Sequence, residues 1–278
     1  MAERRDIWLG LIVGNSRWHW GAFAGQSWLG AWHTSRLSEA EVKSLEQTHF
    51  ALPRFRQLGF EPEIEAGTPG WQGLEVARPE LWLASVVEQP LGWLADYPAL
   101  HVLKTDQVPL QNTYPTLGVD RALALVGAGE TYGWPVLVID CGTALTYTAG
   151  AEQRLIGGSI SPGLGLQLRA LSEHTDRLPA IALESIAWPR RWATDTAEAI
   201  ASGVVRTVLA GMQDFITAWK TEWPDGRVVL TGGDSVAIAT YLAHQAPDLA
   251  GQIQRDPDLA FWGLRACRQQ TRAASTAP

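Results

Sequence analysis

The sequence predicts an α/β protein of two related domains with a nucleotide-binding cleft between them. Three observations predict this. Residues 136–149 run as an apolar strand into Asp140, break at Gly142-Thr143 and leave at once as a second strand. A weaker copy stands near the N-terminus, where Ile7 to Val13 leads through Gly14-Asn15-Ser16 into Arg17 to Phe23. The length, 278 residues, suits roughly two domains. A strand that reverses through glycine beside a hydroxyl presents uncrowded backbone, and such a turn can hold phosphate oxygens and a cation.

The elements follow in order. Residues 7–23 read as a hairpin, with Trp18 and Trp20 on one face and Arg17 and His19 on the other. Residues 36–48 are polar and compatible with a helix, and 61–80 read as an irregular exposed segment rich in Gly, Pro and Glu. Leu81 to Val87 is apolar and short, a buried strand; 89–100 suit a helix after Pro90, and His101 to Leu103 another strand. The junction falls near 110–118, which divides the chain into domains 1–115 and 116–278.

In the second domain a helix spans about Asp120 to Tyr132, strands 136–140, 144–149 and 154–160 follow, and Pro162-Gly163 opens a helix through Glu173. A long helix occupies 195–220, with Asp195 as N-cap and Glu198 at the capping-box spacing. Val228 to Leu230 is a strand, Thr231-Gly232-Gly233 a turn, and Asp234 to Ala243 a helix. Phe261 to Arg272 closes the chain as a helix before a frayed tail.

Composition narrows the function. The 46% hydrophobic content supports a sizeable core, and no apolar run approaches the ~20 residues that span a bilayer. The N-terminus lacks the apolar core of a signal peptide, and only Cys141 and Cys267 occur, so a cytoplasmic protein without membrane attachment or a disulfide framework is expected. A net charge of −7 argues against a nucleic-acid partner. The 14 tryptophans are read as core and interface packing. Zinc-ligand spacing, Gly-x-Ser-x-Gly and the P-loop pattern are all absent.

Four places carry candidate chemistry. Asp120, in Gly118-Val119-Asp120-Arg121, is either a helix N-cap or a general base held beside a cation. Arg121 either grips an anion through its fork of donors or forms a surface ion pair. Asp140 ends an apolar strand, where it caps its own loop or meets a cation; Thr143 and Thr146 add hydroxyls. Thr231-Gly232-Gly233 is a tight strand–helix turn, against which a base or ribose can also lie.

Taken in order, Gly14-Asn15-Ser16, Gly118-Val119-Asp120-Arg121, Asp140-Cys141-Gly142-Thr143-Ala144, Gly157-Gly158-Ser159-Ile160-Ser161-Pro162-Gly163, Leu178-Pro179, Asp195-Thr196 and Thr231-Gly232-Gly233-Asp234 resemble the type III pantothenate kinases over roughly residues 7–264. The Trp-rich segment after Gly14 looks most like the cyanobacterial branch.

The resemblance implies two actin-like (ribonuclease H-like) domains, a homodimer, and transfer of the ATP γ-phosphoryl group to the primary hydroxyl of pantothenate in coenzyme A biosynthesis. It implies Mg2+ or another divalent ion with ATP, and K+ or NH4+ as monovalent cation. Carried over by position, Asp120 is the proton acceptor, Gly118, Val119, Asp120 and Arg121 line pantothenate, and Thr196 contacts it. Asp140 is the monovalent-cation ligand, Thr143 a phosphate contact, and Thr231, Gly232 and Gly233 the nucleotide-side turn. Gly14, Asn15, Ser16, Arg17 and His19 form the ATP-side hairpin.

Three departures stand out. Ile12 occupies the usual Asp position of the first hairpin, and His19 the usual Lys. Tyr114, the only nearby candidate for the family's pantothenate-contacting tyrosine and assigned to substrate binding, stands closer to the Gly-x-Asp-Arg run than that tyrosine usually does. Ile12 and His19 motivate a second reading, a regulatory or binding protein on the same scaffold. A kinase for another acceptor, such as a sugar, is a third.

Overall fold

The structure, a computed structural model, describes residues 6–61, 63–64 and 78–276. Most of the segment expected to be irregular, 62 and 65–77, lies outside the described residues.

The chain divides into two compact units, residues 1–127 with 260–278, and residues 128–259. The strands of the first unit are β1 (Ile7–Val13), β2 (Trp18–Ala24), β3 (Ser27–Thr34), β4 (Glu63–Ile64), β5 (Glu80–Ser85) and β6 (Leu100–Leu103). Its helices are α1 (Glu39–Gln47), α2 (Leu52–Gln57) and α3 (Gln89–Trp93), with the start of α4 (Val119–Tyr132). The second unit continues with β7 (Val136–Cys141), β8 (Ala144–Ala151), β9 (Arg154–Pro162), α5 (Leu164–Glu173), α6 (Thr196–Glu222), β10 (Arg227–Thr231), α7 (Ser235–Gln245), α8 (Pro247–Ala250) and β11 (Gln254–Arg255). The last helix, α9 (Leu259–Thr276), belongs to the first unit from Ala260 onward.

The duplication is visible in strand order. The first sheet runs β4-β3-β2-β1-β5-β6 and the second β11-β10-β7-β8-β9. In each, three strands meander antiparallel and two further strands pair parallel on the other side of the first. The two-hairpin repeat seen in the sequence is therefore a five-strand repeat. Gly14 and Gly142 follow its two equivalent first strands.

Strand alternation explains the tryptophans. Trp18, Trp20 and Trp32 join Leu9, Leu11 and Val13 in one core beneath α1 and α2. Trp20 meets Phe55 edge to face, with centroids 5.0 Å apart. The opposite face of β1 and β2 stacks Trp8 on Phe23 at 4.0 Å. It leaves room for α9 at Gly10 and Gly21, where an added Cβ would lie 2.7 Å from Leu264 and 2.8 Å from Phe261. Arg268, 2% exposed, holds α9 down by donating to Asp6 at 2.9 Å and Glu80 at 3.0 Å. Burial alone would raise the Glu80 carboxyl, but hydrogen bonds from Arg272 and Trp82 and the Arg268 charge outweigh it and bring it to about 2.

Several expectations need correction. The helix expected over 89–100 stops at Trp93, because Leu94 and Tyr97 turn into the core and Pro98 cannot donate to a helix. Strand β3 occupies a stretch to which the sequence reading assigns no element, while its Trp28 and Trp32 pack as expected. The tail expected to fray from Ala273 continues α9 to Thr276. At α6, Asp195 does cap Glu198 N–H at 2.9 Å, but the Glu198 carboxylate turns to Arg190 instead of closing a capping box. By length and composition α6 is apolar enough to cross a membrane, and its buried side is occupied in the second unit's core by packing with β7, β8 and α7 residues.

Helix α4 carries the Gly-x-Asp-Arg run, and Gly263 of α9 sets its seat. A Cβ at Gly263 would fall 2.0 Å from the Leu123 carbonyl oxygen. Gly263→Ala is expected to destabilise the protein by about 1–3 kcal/mol, despite the higher helix propensity of alanine, because two backbones must separate. Urea unfolding of the variant measures this.

Candidate active site

In the first unit the candidate residues gather at the carboxyl ends of β1 and β5. The turn after β1 closes with Gly14 N–H donating to the Arg17 carbonyl at 3.0 Å. Just beyond β5, Val86 N–H donates to the Val13 carbonyl at 3.1 Å. The Val86 side chain also lies 3.9 Å from the place of a Cβ on Gly118. The Thr105 hydroxyl donates to the Leu117 carbonyl at 2.9 Å and fixes the approach to α4.

Asp120 is the second residue of α4, within its first turn, and so is not the N-cap. Its Oδ1 accepts the Arg121 backbone N–H at 2.8 Å and folds over Gly118, where a Cβ would be 2.4 Å away. Only glycine fits at 118 with the carboxylate in that place. Burial pushes the Asp120 carboxyl above its ordinary 3.8, against the pull of the Arg121 N–H and charge. Such a carboxylate has a raised proton affinity, which suits a general base. Arg121 is buried and donates through Nη1 to the Tyr114 hydroxyl at 3.1 Å. Val119, at the first position of α4, is buried. Tyr114, Gly118, Asp120 and Arg121 are thus brought together.

The first hairpin differs from the expectation in one respect. Arg17 lies in the turn and is exposed, whereas His19 lies within β2 and is half-buried. His19 pairs across the sheet with Ile12 and His33. The two imidazoles meet Nδ1 to Nδ1 at 2.9 Å. Burial first, then His33 and Arg17, depress His19 from 6.5 to about 4, so it is neutral at neutral pH. Asn15 and Ser16 are exposed, and the Asn15 carbonyl accepts Arg36 Nε–H at 3.0 Å. Neither His33 nor Arg36 was flagged by sequence reasoning. The cross-strand register of β3 is the signal that finds His33, and Arg36 follows two residues beyond that strand.

In the second unit, β7 ends in Asp140 and Cys141, and the backbone closes around the carboxylate. A Cβ on Gly232 would lie 2.4 Å from Asp140 Oδ1, and one on Gly142 3.4 Å from it. Gly163 packs on the same turn, its Cβ position 2.1 Å from the Gly142 carbonyl oxygen. Asp234 N–H donates to the Cys141 carbonyl at 2.8 Å, which binds the Thr231-Gly232-Gly233 turn to the end of β7. Thr231 is the register partner of Asp140. Burial, and then the nearby Asp140 and Asp234, raise the Cys141 thiol well above its ordinary value. The turn is therefore locally anionic and made of hard oxygen donors, a fit for a cation. Thr143 and Gly233 are exposed beside it, Thr146 is buried, and Thr196 is exposed as the first residue of α6. Among the described residues no group of three or more His, Cys, Asp or Glu side chains is placed to hold a metal. A divalent ion here would rest mainly on substrate phosphates, as Mg2+ commonly does.

A family model described as type III pantothenate kinase matches residues 8–218. The chain belongs to the type III pantothenate kinase family. The family member of that name from Nostoc sp. is 44% identical over 261 residues, covering 93% of this chain and 93% of its own. The one from Gloeobacter violaceus is 39% identical over 259 residues, covering 93% and 96%. Two solved structures share the fold. One, described as a Baf family transcriptional activator from Campylobacter jejuni, has a TM-score of 0.60 at 16% identity and covers 95% of this chain and 99% of that one. The other, described as a 2-dehydro-3-deoxygalactonokinase from Sinorhizobium meliloti, has a TM-score of 0.57 at 16% identity with the same coverages. The two-domain α/β architecture implied by the resemblance is the observed one.

Gly232 has φ +89°, a conformation that costs an alanine about 1–2 kcal/mol, and a Cβ there would lie 2.4 Å from Asp140 Oδ1. Gly232→Ala is therefore expected to lower the melting temperature and to abolish most of the further rise that Mg-ATP confers. Thermal melts with and without nucleotide test both effects.

Proposed function

We infer that this protein is a pantothenate kinase, transferring the γ-phosphoryl group of ATP to the primary hydroxyl of pantothenate, the first step of coenzyme A biosynthesis. The observation that carries the reading is the buried, proton-attracting Asp120 beside Arg121 in a chain of this family. Phosphoryl transfer needs alignment and charge neutralisation more than covalent help. Asp120 accepts a hydrogen bond from the acceptor hydroxyl and takes its proton as the phosphoryl group transfers. Arg121, oriented by Tyr114, grips the pantothenate carboxylate. Gly118 and Val119 line the acceptor, and Thr196 contacts it.

On the nucleotide side, Gly14, Asn15, Ser16, Arg17 and His19 face ATP from the first hairpin. Thr143 and the Thr231-Gly232-Gly233 turn are its further nucleotide contacts. The kinase reaction uses ATP with a divalent ion, which supplies charge neutralisation on the phosphates. Asp140, in its glycine cradle, holds a monovalent cation, K+ or NH4+. We assign the functional domains as 1–115 and 116–278, cut before α4, although packing divides the chain within that helix. A cytoplasmic homodimer completes the reading. The acidic balance runs against nucleic acid as a partner.

Asp120→Asn is expected to fold normally and to lose about 100- to 10,000-fold in turnover. In the wild type the acid limb of kcat should lie above the 3.8 of an ordinary aspartate, because the base must be unprotonated and burial raises it. A fully active Asp120→Asn enzyme would refute the base assignment. Activity should also rise when Na+ is replaced by K+, and Asp140→Ala should remove that response. Equal rates in both salts for both proteins would refute the cation assignment.

A further inference from the structure

Four nitrogen-bearing side chains surround the first hairpin turn: Arg17, His19, His33 and Arg36. They differ in what they can offer a ligand. His19 and His33 are engaged with each other, Nδ1 to Nδ1 at 2.9 Å. A single proton bridges such a contact between rings set edge to face, and a second would turn N–H against N–H. The position where the family places a lysine is thus taken up by a neutral imidazole.

Arg36 is different. It stands in the loop between β3 and α1, two residues beyond Thr34 and two before the α1 N-cap Ser38. Its Nε donates to the Asn15 carbonyl at 3.0 Å, so the guanidinium is tethered to the backbone of the turn that follows β1. That bond uses one of the five donors of an arginine. Among the described residues Arg36 forms no ion pair, and its two terminal nitrogens remain at the exposed turn. Arg17 is also exposed, but its carbonyl closes the turn, and among the described residues no side-chain hydrogen bond holds its guanidinium in place. A cation already fixed in orientation loses less freedom when it binds an anion.

We propose that Arg36 supplies the polyphosphate-binding cation at the first hairpin, in place of the position occupied by His19. This rests on the kinase reading above. A guanidinium is always charged and matches phosphate oxygens two at a time. A protein of net charge −7 needs such local positive charge to hold ATP. The tether also explains how the hairpin tolerates both Ile12 and His19: the charge enters from β3 and its loop and not from β2.

The test compares wild type with Arg36→Gln, Arg36→Lys and Arg17→Gln. KM values for Mg-ATP and pantothenate come from steady-state kinetics, and Mg-ATP affinity from isothermal titration. Arg36→Gln should raise KM and Kd for Mg-ATP about tenfold or more, as expected for losing a charge-assisted hydrogen bond. Its KM for pantothenate and its melting temperature should hold. Arg36→Lys should recover part of the loss, and Arg17→Gln should have the smaller effect. Wild-type affinity for Mg-ATP should stay flat from pH 6 to 8, where a titrating histidine would impose a slope. Unchanged Mg-ATP affinity in Arg36→Gln overturns the proposal. So does an equal rise in both KM values with a lowered melting temperature, which would mark Arg36 as a loop fastener only. A wild type that binds Mg-ATP through Arg36 without phosphorylating pantothenate would sink the kinase reading and leave the Arg36 assignment standing.

Discussion

A carboxylate at the end of a buried strand restricts everything placed around it. Asp140 follows Val136 to Ile139, all apolar and buried, and emerges where β7 must reverse into β8. Desolvating that charge without partners is costly, so the surroundings must offer donors or a cation, and they must come close. Closeness is achieved by omission of side chains. Gly142 makes the reversal, Gly232 lies on the carboxylate, and Gly163 packs on the Gly142 carbonyl. The backbone bond from Asp234 to Cys141 then locks the β10–α7 turn onto the same strand end. Glycines from separate stretches of chain serve one carboxylate, and an exposed hydroxyl at Thr143 completes a place suited to phosphate and cation.

The first unit repeats the strand order but solves the matching position differently. Ile12 stands where the family has a carboxylate, buried between His19 and Ala84 in the sheet register. With no anion at this point, a lysine at 19 would lack its counter-charge, and a neutral imidazole paired with His33 suits the site. Chemistry in this unit shifts toward α4. There the helix start combines a carboxylate of raised proton affinity with a buried arginine whose orientation Tyr114 sets. The Gly263 seat on Leu123 keeps that helix against α9, and α9 is in turn held by Arg268 between Asp6 and Glu80. The position of Asp120 and Arg121 therefore depends on charges remote in sequence, Asp6 and Arg268 each more than a hundred positions away.

Much of this was legible beforehand, for physical reasons. Strands such as β7 and β10 are continuous apolar runs bounded by glycine, and α6 has a strong apolar face behind an Asp cap, so both patterns announce themselves. The Gly-x-Asp-Arg and Asp-x-Gly-Thr runs are local, and local motifs survive without tertiary information. What was hidden depends on pairing. Strand β3 has glycine at 30, and a register shift lies opposite it at Ala22/Phe23, which breaks simple alternation. The His19–His33 contact and the Arg36 tether exist only because β3 lies beside β2. The early end of α3 reflects core demand at Leu94 and Tyr97, which outweighs local helix preference. Gly263 carries no motif at all; its necessity appears only when the Leu123 carbonyl is seen beside it.

The central claim is that this scaffold moves a phosphoryl group from ATP to the hydroxyl of pantothenate. Phosphorus NMR of a reaction containing the protein, Mg-ATP, pantothenate and K+ tests it most directly. The account predicts one new phosphomonoester on pantothenate for each ADP formed, and no ADP formation of comparable rate without pantothenate. ADP release that ignores pantothenate, or a folded, nucleotide-binding protein that forms no phosphomonoester, would contradict it.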